Sequence, residues 1–382
     1  MAMAIGIATI AIWIHLLLFR GGFWWRPYRP MPIGLSGSVR SVVAVIPARD
    51  EAEVIGRAVA SLLAQDYDGP LRIVVVDDQS SDGTAEAARA AAEAAGVPDR
   101  VTILQGEHLP AGWTGKLWAV RQGVEAARFL RSEYFLLTDA DIVHGPGSLS
   151  ELVSRSEAED YDLVSLMVRL HCRSLWEAFL IPAFVFFFFK LYPPSWVTDP
   201  ARRTAGAAGG CMLIRAATLD RIGGIDSIRG EIIDDCALAR RVKSVGKVWL
   251  GPARETVSVR EYGSWRVIWE MVVRSAFAQL GYSPTLLALT IVMLALTYLV
   301  PPLLLLSSVP ATILCGGLAW LGMSISLLPT LRAYEAPLLI APLLPLIALF
   351  YLAATVASAV QFWRGRGGYW KGRVQAPATD GN

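Results

Sequence analysis

Tyr134-Phe135-Leu136-Leu137-Thr138-Asp139-Ala140-Asp141-Ile142-Val143 is an apolar run that ends in two carboxylates separated by one small residue. In an extended chain alternate side chains share a face, so the pattern predicts a buried strand that delivers Asp139 and Asp141 together at its end. Two carboxylates so placed call for a cation. An all-oxygen donor set suits Mg2+ or Mn2+, which are commonly held by one or two carboxylates plus substrate phosphates. Short D-x-D patterns arise often by chance, so the surrounding sequence has to decide.

Upstream, residues 42–46 form an apolar, β-branched-rich run expected to be a buried parallel strand ended by Pro47, with helical spacing over 51–65. Residues 71–76 predict a second strand ending in Asp77-Asp78, and 84–95 a helix closed by Gly96 and Pro98. A third strand over 101–104 and a helix over 115–130 lead to the strand at 134–138. This alternation predicts a mainly parallel α/β sheet with ligands at the carboxyl ends of its strands. Every acidic cluster named so far falls at such an end.

The loops after the first two strands read Pro47-Ala48-Arg49-Asp50-Glu51 and Asp77-Asp78-Gln79-Ser80-Ser81-Asp82-Gly83-Thr84. Carboxylates there can accept hydrogen bonds from a base or ribose. Neither loop has the G-x-G-x-x-G that a dinucleotide phosphate needs. Gly112-Trp113-Thr114-Gly115-Lys116 is no P-loop either, because Pro110 occupies the first glycine position and Leu117 replaces the Ser/Thr that would hold Mg2+. Farther on, Gly209-Gly210 opens an apolar strand, where backbone can approach a ligand closely. Asp234-Asp235 starts a helix, either as ordinary acids at a positive helix end or as a general base across a cleft from Asp139 and Asp141.

In this order the motifs resemble the family 2 glycosyltransferases of the GT-A fold, over roughly residues 41–250. The P-x-x-D-E, the D-D-x-S-x-D-G-T, the G-K-x-x-A at Gly115, Lys116 and Ala119, the D-x-D, the G-G and the acidic pair carry the likeness. The layout is most similar to the bacterial hopene-associated glycosyltransferases, through Arg20-Gly21-Gly22-Phe23-Trp24, Ile232-Ile233-Asp234-Asp235-Cys236 and Trp370-Lys371-Gly372-Arg373. The resemblance implies a nucleotide pocket at Ala48, Glu51 and Asp78, with Asp77, Lys116, Asp139 and Arg274 also on the nucleotide side. It implies a divalent metal at Asp139 and Asp141, and Asp235 as catalytic base. The third acid of the family's E-D-x-D-L is missing here, and of Q-x-x-R-W only Arg274 remains, in Met271-Val272-Val273-Arg274-Ser275. That departure speaks for one sugar transferred to a lipid and against processive polymerisation.

The chain has 382 residues, 54% of them hydrophobic, with mean hydropathy +0.44, which implies a soluble body joined to membrane segments. A net charge of +2 without a basic, aromatic-interleaved run excludes a nucleic-acid partner. The cysteines Cys172, Cys211, Cys236 and Cys315 and the histidines His15, His108 and His144 show no zinc or disulfide spacing. Residues 1–19 read as an uncleaved anchor, followed by arginines and an aromatic belt that place the next domain in the cytoplasm. The Phe-rich stretch 174–196 reads as an interfacial helix, with an ordinary core helix as the alternative, and 265–280 as a second amphipathic helix.

Residues 285–306, 310–330 and 337–361 are of spanning length. Three full crossings would put the basic tail outside, against the positive-inside rule, so one proline-broken stretch is expected to be re-entrant. The expected organisation is an anchor at 1–20, a linker at 21–40, a GT-A domain at 41–260, an interfacial helix at 261–283, transmembrane helices at 284–362 and a basic tail at 363–382. The expected protein is a multi-pass enzyme of the bacterial inner membrane that takes a UDP-sugar as donor and a hopanoid-type lipid as acceptor. A polyprenyl-phosphate or sphingolipid acceptor, or a non-catalytic sugar-nucleotide-binding scaffold, are the alternatives.

Overall fold

The computed structural model describes residues 2–28, 39–368 and 371; residues 29–38 of the expected linker and Trp370, Gly372 and Arg373 lie outside them. Helix α1 (Ala2–Phe19) precedes the alternating series β1 (Val42–Ala48), α2 (Ala52–Leu63), β2 (Leu71–Asp77), α3 (Thr84–Ala94), β3 (Val101–Gln105), α4 (Gly115–Arg128) and β4 (Tyr134–Thr138). Next come β5 (Ile142–Val143), α5 (Ser148–Glu159), β6 (Leu163–Arg169), α6 (Leu175–Leu191), α7 (Pro194–Thr198), β7 (Cys211–Arg215), α8 (Ala216–Arg221), α9 (Asp234–Lys243) and β8 (Val248–Ser258). Helices α10 (Trp265–Ser275), α11 (Pro284–Leu294), α12 (Val300–Leu303), α13 (Pro310–Ala333) and α14 (Leu344–Trp363) follow.

The strands form one sheet of order β3-β2-β1-β4-β7-β6-β8-β5. Its first four strands pair in parallel, as the alternation requires, so Ala48, Asp77 and Thr138 end at the same edge. The other half is mixed: β7 runs antiparallel to β4 and β6, β8 parallel to β6, and β5 antiparallel to β8. Pro47 does not end β1, contrary to the sequence expectation. The pairing with β4 stops at Val45, so at Pro47 the strand has only β2 beside it, and a missing amide donor is tolerated there.

The uninterrupted apolar strands face two cores. Val42, Ala44, Ile46, Ile73, Val75, Tyr134 and Leu136 pack with α2, α3 and α5. Their alternates Val43, Val45, Val74, Val76, Phe135 and Leu137 join a core that runs without a break through α4, α6 and α10 into Met323, Leu327 and Tyr351 of the apolar helices. The domain and the helical bundle are therefore one packed body.

Five described segments are long and apolar enough to cross a membrane: Ala2–Phe19, Leu175–Thr198, Pro284–Leu306, Pro310–Ala333 and Leu338–Trp363. Helices α1 and α13 lie side by side in the same direction. A Cβ on Gly6 would come within 3.0 Å of the Cys315 Cβ, and the Tyr28 hydroxyl donates to Thr330 Oγ1 at 3.0 Å. Helix α6 is held at both ends by segments that flank the domain. The amide of Tyr262 donates to Glu177 Oε1 at 2.7 Å, and the Arg20 Nε donates to the Lys190 carbonyl at 3.0 Å. The segment 338–363 also begins and ends at the domain. Before it, Glu335 pairs with Arg169 at 2.9 Å; within it, the Pro342 carbonyl accepts from the Trp320 indole at 2.9 Å; beyond it, Lys371 pairs with Glu51 at 3.0 Å.

Helix α4 can lie close to the sheet because Gly123 has no side chain. A Cβ there would sit 2.5 Å from Val45 Cγ1 and 2.9 Å from Val76 Cγ2. Gly123→Ala is expected to destabilise the protein by about 1–3 kcal/mol through overpacking, read as a lower unfolding midpoint of the detergent-solubilised protein.

Candidate functional site

The site is built from the loops that leave the aligned strand ends. The β1 and β2 loops are stitched together: the Asp78 amide donates to the Ala48 carbonyl at 2.8 Å, and the Ser81 amide to Asp50 Oδ1 at 2.9 Å. The Glu51 amide donates to Thr84 Oγ1 at 2.8 Å and the Ala52 amide to Asp82 Oδ2 at 2.9 Å. Asp50 and Gln79 take left-handed backbone angles, with φ of 50° and 58°, which turn both loops back over the sheet edge. Ala48, Asp77 and Asp78 are buried, and one Asp77 oxygen accepts the Ser80 amide at 3.0 Å.

Asp139 and Asp141 do not lie on an extended strand. β4 ends at Thr138, and the Ile142 amide donates to the Asp139 carbonyl at 3.3 Å, so the three residues form a turn and the alternation argument does not place them. Their carboxylates meet different cations. Asp139 Oδ1 is 2.8 Å from the Lys116 ammonium, whereas Asp141 Oδ2 is 2.8 Å from Arg260 Nε and 3.1 Å from the Ser258 hydroxyl. Beneath the turn, buried His144 lies 3.1 Å from Thr138 Oγ1, and burial lowers its imidazole to about 4, which keeps it neutral.

Lys116 ties the strand end to α9: its ammonium also pairs with Asp234 Oδ2 at 3.1 Å. Burial works against the ammonium, but the carboxylates of Asp139 and Asp234 outweigh it and raise its pKa. Burial raises the Asp139 carboxyl as well, opposed by Lys116 and reinforced by Asp141 and Asp234. The same cleft is lined by Lys116, Thr138, Asp139, Gly209 and Asp234.

Asp235 flanks that cleft. Its Oδ2 accepts the Gly209 amide at 2.8 Å and its Oδ1 the Cys236 amide at 2.6 Å. A Cβ on Gly209 would lie 3.3 Å from the Lys116 ammonium and 3.4 Å from Asp235 Oδ2, so glycine lets carboxylate and cation approach one point. Burial, with the Asp234 charge second, lifts the Asp235 carboxyl to about 6, against the pull of Lys116 and the two amides.

Two cations absent from the expected site residues belong to the cluster. Arg260, just past β8, reaches Glu51 Oε1 at 2.7 Å while holding Asp141, and Lys371 reaches the same Glu51 oxygen at 3.0 Å. Arg274, which was expected on the nucleotide side, is not brought to these carboxylates. It stands exposed in the last turn of α10 and makes no ion pair among those of the described residues. The site thus joins Glu51, Asp139, Asp141, Asp234 and Asp235 with Lys116, Arg260 and Lys371 at one sheet edge. Asp139 and Asp141 offer oxygen donors only, and no third His, Cys, Asp or Glu completes a cluster among the described residues. That set fits a hard divalent cation whose other ligands come from phosphate oxygens.

The family model for glycosyltransferase-like family 2 matches residues 40–274, more than half of the chain. The chain belongs to this family. Its fold is the GT-A fold of these glycosyltransferases, and glycosyl transfer is the chemistry that membership implies. Mannosyltransferase PcManGT from Pyrobaculum calidifontis, solved in complex with GDP-Man and Mn2+, is similar with a TM-score of 0.55 at 20% identity, over 95% of this chain and 99% of that one. S. aureus TarS is more distant, with a TM-score of 0.40 at 13% identity over 62% of this chain and 40% of its own. The family 2 match reaches from Arg40 to Arg274 and so includes Arg260, but neither α14 nor Lys371.

Lys116 is the counter-charge that lets Asp139 and Asp234 approach. Lys116→Met is expected to cost about 1–3 kcal/mol, less than a fully buried broken pair because the side chains are partly exposed. A denaturant or thermal midpoint compared with Lys116→Arg measures it.

Proposed function

We propose that this protein is an inverting, metal-dependent glycosyltransferase that moves one sugar from a nucleotide-diphosphate sugar to a lipid hydroxyl at the membrane surface. The observation that carries the proposal is Asp235, a carboxylate lifted to about 6 and set by the Gly209 amide beside the Lys116–Asp139 pair. A base is most effective when its pKa lies near the working pH, and ordinary carboxylates titrate too low. Asp235 takes the proton of the acceptor hydroxyl, whose oxygen bonds to the anomeric carbon as the bond to the donor's diphosphate breaks. Attack from the face opposite the leaving group inverts the anomeric centre.

Asp139 and Asp141 are the residues proposed to hold Mg2+ or Mn2+; when bound, the ion supplies Lewis-acid neutralisation of the departing diphosphate. Lys116 and Arg260, already at these carboxylates, add positive charge on the same side. Ala48, Glu51 and Asp78 are proposed to receive the nucleoside, with Asp77 holding the loop through Ser80. PcManGT, of the same fold, carries GDP-Man and Mn2+, which supports a nucleotide-diphosphate sugar and a divalent ion here, whether the base is guanine or uracil.

The lipid acceptor is inferred from the core that the domain shares with the apolar helices. We read α1, Pro284–Leu306 and Pro310–Ala333 as crossings, α6 as lying along the membrane surface, and 338–363 as entering and returning on the domain's side. That arrangement keeps the basic tail with the domain, in the cytoplasm by the positive-inside rule. A hopanoid-type acceptor in a bacterial inner membrane rests on the motif resemblance.

Purified protein in bacterial lipid, given radiolabelled GDP-mannose or UDP-sugars and Mn2+, should yield a labelled lipid, and chelation by EDTA should abolish it. No labelled lipid with any donor would remove the proposal. Asp235→Asn is expected to lower kcat by about a thousandfold or more while nucleotide binding persists. The wild-type kcat/KM should rise with pH through about 6, because only the deprotonated carboxylate can accept the hydroxyl proton. A profile flat from pH 5 to 8 would count against Asp235 as the base.

A further inference from the structure

Lys371 lies past the end of α14, outside the family match, yet it is anchored at three points on the β1 loop. Its ammonium is 3.0 Å from Glu51 Oε1 and 3.0 Å from the Asp50 carbonyl, and its own carbonyl accepts from Arg49 Nε at 3.3 Å. Glu51 is also the oxygen that Arg260 grips at 2.7 Å, and Arg260 continues to Asp141 at 2.8 Å. Lys371, Glu51, Arg260 and Asp141 therefore form one chain of alternating charge along the sheet edge. The neighbouring tail cations behave differently: Arg364 and Arg366 are exposed and make no ion pair among those of the described residues. Among the described tail cations the contact is made by Lys371 alone.

The surrounding charges explain why a cation is needed. Glu51, Asp78, Asp139, Asp141, Asp234 and Asp235 crowd the edge, and Lys116, Arg49 and Arg260 face them. An anionic donor entering there meets a carboxylate-rich mouth. The Lys371 side chain is 25% exposed and that of Glu51 is 11% exposed, so their charges are screened less than surface charges. We propose that Lys371 forms part of the donor site, as a positive group that contributes to binding a nucleoside diphosphate. The inference rests on the donor reading above and adds to it a residue on the far side of the membrane helices in sequence.

The test is equilibrium binding to the full-length, detergent-solubilised protein. The probes are GDP and UDP, each with Mn2+, and the uncharged nucleosides guanosine and uridine. Lys371→Met should weaken the bound nucleoside diphosphate about tenfold, the loss of one partly buried charge partner. It should leave the matching nucleoside within about twofold, because Arg260 still holds Glu51. Lys371→Arg should recover most of the loss, and Arg366→Met should show none. Equal losses for nucleoside and diphosphate would mean a structural role and overturn the proposal. Unchanged or tighter diphosphate binding by Lys371→Met would overturn it too, the latter marking the tail as a plug. Failure of the wild-type protein to bind either diphosphate would overturn the donor reading and this inference with it.

Discussion

The site depends on one ammonium group. Lys116 stands between Asp139, at the end of β4, and Asp234, at the start of α9, at 2.8 and 3.1 Å. Without it three acids from two distant parts of the chain would face one another in a cleft of low polarity, and the repulsion would push the strand end and the helix apart. With it, Asp235 is carried into place on the next residue, at a depth where burial lifts its carboxyl to about 6. The close approach is possible because Gly209 leaves no side chain between the Lys116 ammonium and the Asp235 carboxylate. Structure and reactivity share this cause: the charge that permits the packing also sets the electrostatics of the proposed chemistry.

A second constraint is that the central strands of the sheet have no polar face. Alternate residues of β1, β2 and β4 enter two cores, and one of these continues into the apolar helices. The strands accordingly read as unbroken apolar runs, which made their parallel arrangement and the position of their polar ends legible before any coordinates. The motif loops lie where that reading puts them, because a short loop after a buried strand has little freedom to be elsewhere. Pro47 misled only about length, since the end of a strand with one neighbour tolerates a missing amide.

What stayed illegible was contact between distant segments. Arg260 and Glu51 are 209 residues apart, and Lys371 and Asp50 are 321 apart, and neither cation sits in a pattern that announces a partner. Arg274 matches one letter of a longer motif, and among the described residues it makes no ion pair with the site carboxylates. The D-x-D is a pair, but strand alternation is not what brings its carboxylates together. Its residues occupy a turn, with Asp139 turned to Lys116 and Asp141 to Arg260, so the pair is joined through cations and not through a common strand face.

The uninterrupted core has a consequence for how the molecule can be handled. Cutting the chain before α10 would strip cover from α6, whose Leu180 carbonyl accepts from the Tyr351 hydroxyl and whose Phe187 ring packs on Tyr298 and Tyr351. Such a fragment would clump in water, so the sheet and the apolar helices have to be handled as one piece.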